Sequence, residues 1–351
     1  MPIREIRGFP TMNRVRIDDL PWEEICSPGG KFHSYFRNIS VALGGTRNVG
    51  PWGGGHPFDL QLRRIPPGAA ICPFHSHLAQ WELYVIRAGS GTARAGDGPH
   101  PVKTGDVFVH PPGEPHQLTN TGMADLEVFI VADNPPLDAC YYPDSVKWAL
   151  RPPGKIFRPA EVDYLDGEEP PVAGVPPYQP TAMPAPPPAV PFSQRLCHVD
   201  NLPWEDWQSP KGKFHGSSKE ISIALGAKRN APAGLGGHPF DLELNRLAPG
   251  RAGCPFHSHA TQWEMFVILC GQGTVRAGAD TAPVEGGDVV LHPPGEAHQL
   301  TNTGPDELLF HIIADNPPVD IFHYPDSNKW ILREPRTTLR ATDAGYWDGE
   351  E

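Results

Sequence analysis

The chain repeats itself. Pro21-Trp22-Glu23 recurs as Pro203-Trp204-Glu205, and Lys31-Phe32-His33 as Lys213-Phe214-His215. His56-Pro57-Phe58-Asp59-Leu60 returns as His238-Pro239-Phe240-Asp241-Leu242. The spacing is always 182 residues, and it still holds where Asp166-Gly167-Glu168-Glu169 maps to Asp348-Gly349-Glu350-Glu351. A unit this long is no solenoid repeat; it is a whole domain, duplicated without insertion or deletion. A chain of 351 residues has room for two such cores. The repeat predicts an N-terminal domain over 1–169 and a C-terminal domain over 192–351. Between them, 170–191 is rich in proline, including Pro186-Pro187-Pro188, which favours an extended linker and cannot build a core.

Each unit reads as strands. Phe58-Asp59-Leu60-Gln61-Leu62 alternates apolar and polar, as does Phe240-Asp241-Leu242-Glu243-Leu244. Glu82 to Ile86, Thr92 to Ala95, Val107 to Val109 and Leu126 to Val131 follow, punctuated by turns at Pro66-Pro67-Gly68 and Gly89-Ser90-Gly91. The 37 glycines and 44 prolines suit many short strands. Only Asp18-Asp19-Leu20-Pro21-Trp22 reads as a short helix or turn, with an aspartate as its cap. The expected class is all-β, a sandwich or barrel in each half.

The chemistry lies in His75-Ser76-His77-Leu78-Ala79-Gln80-Trp81-Glu82, joined downstream by His116. The second copy gives His257, His259, Glu264 and His298. Residues i and i+2 of a strand face one way, so each histidine pair can point into a barrel. Glu82 has the wrong parity for one unbroken strand, so the chain must bend before it. Pro111-Pro112-Gly113 makes the turn that aims His116. Three imidazoles and one carboxylate suit Fe(II), Mn(II), Ni(II), Co(II) or Zn(II). Gln80 and Gln262 could back or replace the glutamates. Arg94, Arg276, His110 and His292 also recur and could line a substrate pocket.

These blocks resemble the two signature motifs of the cupin superfamily: Gly68 through His75-x-His77 and Glu82 to Gly89, then Gly105 through Pro111-x-Gly113 and His116 to Asn120. The same pattern runs from Gly250 to Gly271 and from Gly287 to Asn302. The chain therefore looks like a bicupin, and its Pro-Phe-His-Ser-His phrases resemble those of bacterial cupins of unsettled activity. The resemblance implies two jelly-roll barrels with short peripheral helices. It implies one divalent metal per domain, held by His75, His77, Glu82 and His116, and by His257, His259, Glu264 and His298.

The favoured expectation is an Fe(II) dioxygenase acting on a small organic substrate. The alternatives are a Mn-dependent oxalate-type decarboxylase or oxidase, a sugar isomerase or epimerase, and a non-catalytic small-molecule binding module. A net charge of −12 argues against nucleic acid and anionic membranes as partners. No export signal is visible at the first residues, and the six cysteines show no CxxC spacing, so a cytoplasmic protein with reduced thiols is expected. Barrels with paired outer sheets often associate, so the expectation for assembly is either a monomeric bicupin or a homodimer.

Overall fold

The computed structural model describes residues 12–162, 164–170, 174, 190–333 and 336–344. Most of the proline-rich stretch between the domains lies outside the described residues. Among the described residues each repeat is built almost wholly of antiparallel strands. In the N-terminal half, a seven-stranded sheet runs Leu196–His198, Asp106–His110, Glu82–Ala88, Leu126–Asp133, Phe58–Ile65, His33–Asn38 and Glu23–Cys26. A three-stranded sheet (Gln117–Thr119, Ser90–Ala95, Gly98–Lys103) and a four-stranded one (Lys155–Phe157, Lys147–Arg151, Asp138–Tyr142, Ser76–His77) cover its inner face. An antiparallel bridge between His75 and His116 joins these two smaller sheets and closes the barrel. The C-terminal half repeats the plan, with its own bridge between His257 and His298. No helix among the described residues is long and apolar enough to cross a membrane.

The central strands read as near-continuous apolar runs because both of their faces are buried. Tyr84, Ile86 and Phe108 fill the N-terminal barrel, while Leu83, Val85, Val107 and Val109 face the other way. That outer face meets its counterpart, including Met265, Val267, Val289 and Leu291, in one core shared by both halves. Phe58 and Phe240 meet there at 6.2 Å between ring centroids. The alternation in Phe58–Ile65 thus works in an unusual sense. Its apolar residues Leu60 and Leu62 pack between the barrels, and its polar residues Asp59, Gln61 and Arg63 line a cavity inside one.

The halves also trade strands. Arg14–Arg16, near the start of the chain, pairs with Asp288–Val290 of the C-terminal barrel. Leu196–His198, just past the linker, pairs with Asp106–Phe108 of the N-terminal one. Phe192 sits fully buried in the N-terminal core, and Arg195 beside it forms a buried ion pair with Glu114 at 3.0 Å. The expected division at 169 and 192 therefore cuts across the sheets: each barrel borrows its edge strand from the other segment.

The expected helix at Asp18–Trp22 is a single 3-10 turn, Ile17–Asp19. The residue before it is Arg16, and no side chain caps it. Its position is fixed instead by the exchanged strand, through a bond from Ile17 N–H to the Gly287 carbonyl at 2.8 Å.

Candidate metal centres

The bridge that closes each barrel also assembles the cluster. The backbone of His75 and His116 exchanges two hydrogen bonds, of 3.1 and 2.7 Å, which sets the two rings on facing strands. His77 follows on the two-residue strand Ser76–His77. The chain then turns, as its parity requires, and Glu82 opens the next strand. Gly113, in left-handed backbone at φ 82°, makes the turn before His116 and bonds back to the His77 carbonyl at 2.7 Å.

One ligand atom from each of His75, His77, Glu82 and His116 falls within 4.8 Å of all the others. His257, His259, Glu264 and His298 meet the same limit. The Nε2 atoms face inward: His75 and His77 are 3.0 Å apart there, and His116 Nε2 is 2.9 Å from Glu82 Oε2. Each outer nitrogen has its own acceptor. His75 Nδ1 is 3.0 Å from the Pro73 carbonyl, His116 Nδ1 is 2.9 Å from the Glu114 carbonyl, and His77 Nδ1 is 2.6 Å from Asp138 Oδ2. Acceptors at Nδ1 place the proton there and turn each Nε2 lone pair inward, the arrangement a divalent cation needs. The second cluster has the same three supports, from Pro255, Glu296 and Asp320.

The electrostatics agree. Burial, with the neighbouring imidazoles, pushes His75 down to about 3, so it stays neutral. Burial works against charge on His77 as well, but Asp138, Cys140 and Glu82 outweigh it and raise His77 to about 10. Burial would protonate Glu82; the His116 hydrogen bond and the His77 charge hold it well below the usual carboxylate range. A divalent ion would take the place of the His77 proton.

The other expected residues fall in three places. Gln80 and Gln262 are buried beside the clusters, and each donates its amide to a backbone carbonyl, of Asp133 or Asp315, at 2.6 Å. His110 and His292 lie behind the ligands, stacked on His116 and His298 at 4.2 and 4.1 Å. Arg94 and Arg276 lie on the surface, in two-point ion pairs with Asp144 and Asp326 and over the rings of Phe74 and Phe256. Neither arginine lines a cavity at its cluster.

The N-terminal cluster opens into a cavity of about 260 Å³ that also takes in Arg47, Gln61, Arg63, Tyr84 and Arg151. The C-terminal cavity is about 490 Å³ and takes in Arg229, Tyr324, Arg333 and Arg336. A larger groove of about 720 Å³ runs along Arg14–Arg16 and Pro283–Glu285, but no histidine lines it. The sequence reading missed Asp138, Asp320 and these cavity arginines. A signal for the aspartates was present: Asn134-Pro135-Pro136-Leu137-Asp138 recurs as Asn316-Pro317-Pro318-Val319-Asp320.

Duplicated jelly rolls, each with three imidazoles and a carboxylate at the mouth, define a class of metal-binding barrel proteins. The chain is a bicupin of the cupin superfamily: the cupin domain matches residues 61–132 and again 244–314. It is similar to auxin-binding protein 1 of Arabidopsis thaliana, 33% identical over 118 residues, covering 31% of this chain and 56% of that protein. It is also similar to an oxalate-binding protein of Thermotoga maritima, 37% identical over 68 residues, covering 19% of this chain and 55% of that one. The chain thus spans about half the length of the curated relatives it matches. Among solved structures, a Bacillus subtilis oxalate decarboxylase superposes with a TM-score of 0.52 over 88% of this chain and 78% of its own, at 16% identity. At that identity the likeness speaks for the fold. The two clusters provide one divalent-metal site per cupin domain.

Proposed function

We propose that this bicupin is a divalent-metal enzyme acting on a small carboxylate. One observation carries the reading: guanidinium groups share each cavity with a three-histidine, one-glutamate cluster. His75, His77, Glu82 and His116 would hold one ion, and His257, His259, Glu264 and His298 the other. A bound ion supplies a Lewis acid with coordination positions left over for a chelating oxygen. Arginine supplies the other half of carboxylate recognition, a planar fork matched to two oxygens.

This charge pattern discriminates among the sequence-based alternatives. A neutral sugar gains little from a guanidinium, so an isomerase or epimerase fits poorly. An aromatic-acid dioxygenase and an oxalate-type decarboxylase both use a carboxylate. The likeness to an oxalate-binding protein supports the smaller ligand. In the oxalate reaction, hydrogen oxalate splits into carbon dioxide and formate. The carbon–carbon bond breaks, and its electron pair and one proton stay with the formate carbon.

The test is metal analysis of purified protein followed by incubation of the Mn(II)-loaded protein with oxalate and other short carboxylates. Release of carbon dioxide and formate is expected. Oxygen uptake by Fe(II)-loaded protein on a hydroxylated aromatic acid, with oxalate inert, would move the assignment to a dioxygenase. Tight binding of carboxylates without turnover would replace the enzyme with a binding module.

A further inference from the structure

The two clusters agree closely in their distances. Histidine to glutamate is 2.9 Å in one and 2.8 Å in the other, histidine to aspartate 2.6 and 2.7 Å, and the paired histidines 3.0 and 3.2 Å. Both glutamate side chains are 15% exposed. The residue two positions after each glutamate differs. Tyr84 donates its hydroxyl to Glu82 Oε2 at 2.7 Å, whereas its counterpart Phe266 has no hydroxyl to donate.

We propose that Tyr84 is a positioning residue for the N-terminal ion. Its hydroxyl fixes the Glu82 carboxylate, so this site binds a divalent metal more tightly than the C-terminal one. Only the metal sites are required for this; the carboxylate reading above is not. Residues two apart on a strand face one way, so Glu82 and Tyr84 both point into the barrel. Tyr84 is 2% exposed. Its ring stacks on Phe108 at 5.2 Å, with 10° between the planes, and meets His110 edge-on at 5.5 Å, so the hydroxyl has one direction. A hydroxyl buried this deeply needs an acceptor, and Glu82 is the one it has.

An ion held by His116 Nε2 takes the lone pair there, while the Nδ1 proton stays on the Glu114 carbonyl at 2.9 Å. His116 then has no proton for Glu82, and neither has His77, the other ring facing it. Among the described residues Tyr84 is the donor that remains to this carboxylate. Glu264 has none, because its contacts are His298 and His259, both ligands. A carboxylate without a donor must be ordered by the ion itself, and that ordering subtracts from affinity. The hydroxyl also draws a little charge from Glu82, which works against the ion. A neutral donor makes this the smaller effect, and losing the outer partner of a ligating group generally weakens metal binding. Cys140 differs between the copies as well, lying 3.5 Å from His77 Nδ1 where the second copy has Phe322. It meets the outer nitrogen rather than the glutamate, so exchanging the hydroxyl alone isolates Tyr84.

Titration of Mn(II) into the metal-free full-length chain, with electron paramagnetic resonance of the bound ion, tests this. Two sites about 10-fold apart in affinity are expected, the low end for an outer partner of a ligand, each with its own signal. His259→Ala, which removes the C-terminal site, assigns the tighter one. Tyr84→Phe keeps the ring. It should weaken the tighter site by about 10-fold, shift its signal toward that of the other site and leave the other site unchanged. Phe266→Tyr should instead tighten the weaker site. Equal sites in the wild type would overturn the role of Tyr84. So would a Tyr84→Phe variant in which neither affinity nor signal moves, or in which both sites weaken alike. A wild type that binds no Mn(II) would remove the metal sites themselves.

Discussion

At the scale of single residues, an aspartate behind each cluster fixes one of its imidazoles. Asp138 holds His77 Nδ1 at 2.6 Å and accepts the Ala79 N–H at 3.0 Å, so one carboxylate fixes both a ring and the turn after it. Burial works against its charge, but the hydrogen bond with His77 pulls it down to about 2, so it is ionised throughout the working range. Asp138→Asn keeps the size and removes the charge that orients and enriches the imidazole. The expected loss is about 10- to 100-fold in metal affinity at the N-terminal site alone, since supporting carboxylates typically contribute that much. Competition with a chromogenic chelator measures it, and two sites of unaltered affinity would refute the role. The candidate ligands were legible because His75, His77 and Glu82 stand close together and the whole set, His116 included, recurs 182 residues on. Asp138 was harder to see, because it is 61 residues from His77 and follows a double proline that reads as a turn.

At the scale of elements, the exchanged strands decide what holds the halves together. Leu196–His198 donates and accepts along Asp106–Phe108, and Arg195 adds bonds to the Val109 carbonyl and to Glu114. Phe192 fills the N-terminal core, a position worth about 3–5 kcal/mol against alanine. None of this depends on an unbroken chain between 170 and 190. A protease site placed in that stretch should therefore yield, after cleavage, two fragments that co-elute on size exclusion and keep both metals. Fragments that separate under native conditions would show that the linker, rather than the exchange, joins the halves. The individual strands were legible from period-two alternation and turn residues. Their partners were not: Leu196-Cys197-His198 carries no mark of which barrel it edges, because pairing across 90 residues depends on the assembled sheets. Nor does the alternation of Asp59, Gln61 and Arg63 say whether its polar face meets water or a cavity.

At the scale of the whole molecule, the core between the barrels contains two histidines that should make its stability depend on pH. His56 stacks on Trp263 at 5.3 Å and His238 on Trp81 at 5.0 Å, each ring crossing to the opposite half. Both are buried, and the Nδ1 of each has no hydrogen-bond partner. Burial alone pushes both down to about 4, from 6.5. A depressed histidine means the unfolded chain binds protons more readily than the folded one. The neutral rings therefore cost nothing above 6.5, and stability falls as pH drops from there through 4. Two such shifts predict a loss of roughly 2 kcal/mol per ring by pH 5 and about 3 kcal/mol per ring by pH 4. Asp133 and Asp315 run the other way: burial pushes both to about 7, so their contribution is complete below 3.8 and fades as pH rises through 7. Total stability mixes these slopes, so the histidine part must be isolated by difference. Urea unfolding of the wild type and of His56→Gln/His238→Gln at pH 7 and pH 5 does this. The wild type's advantage over the double variant should shrink by about 4 kcal/mol between the two pH values. Equal shifts in both proteins would show that protons reach these rings without opposing the contact between the barrels.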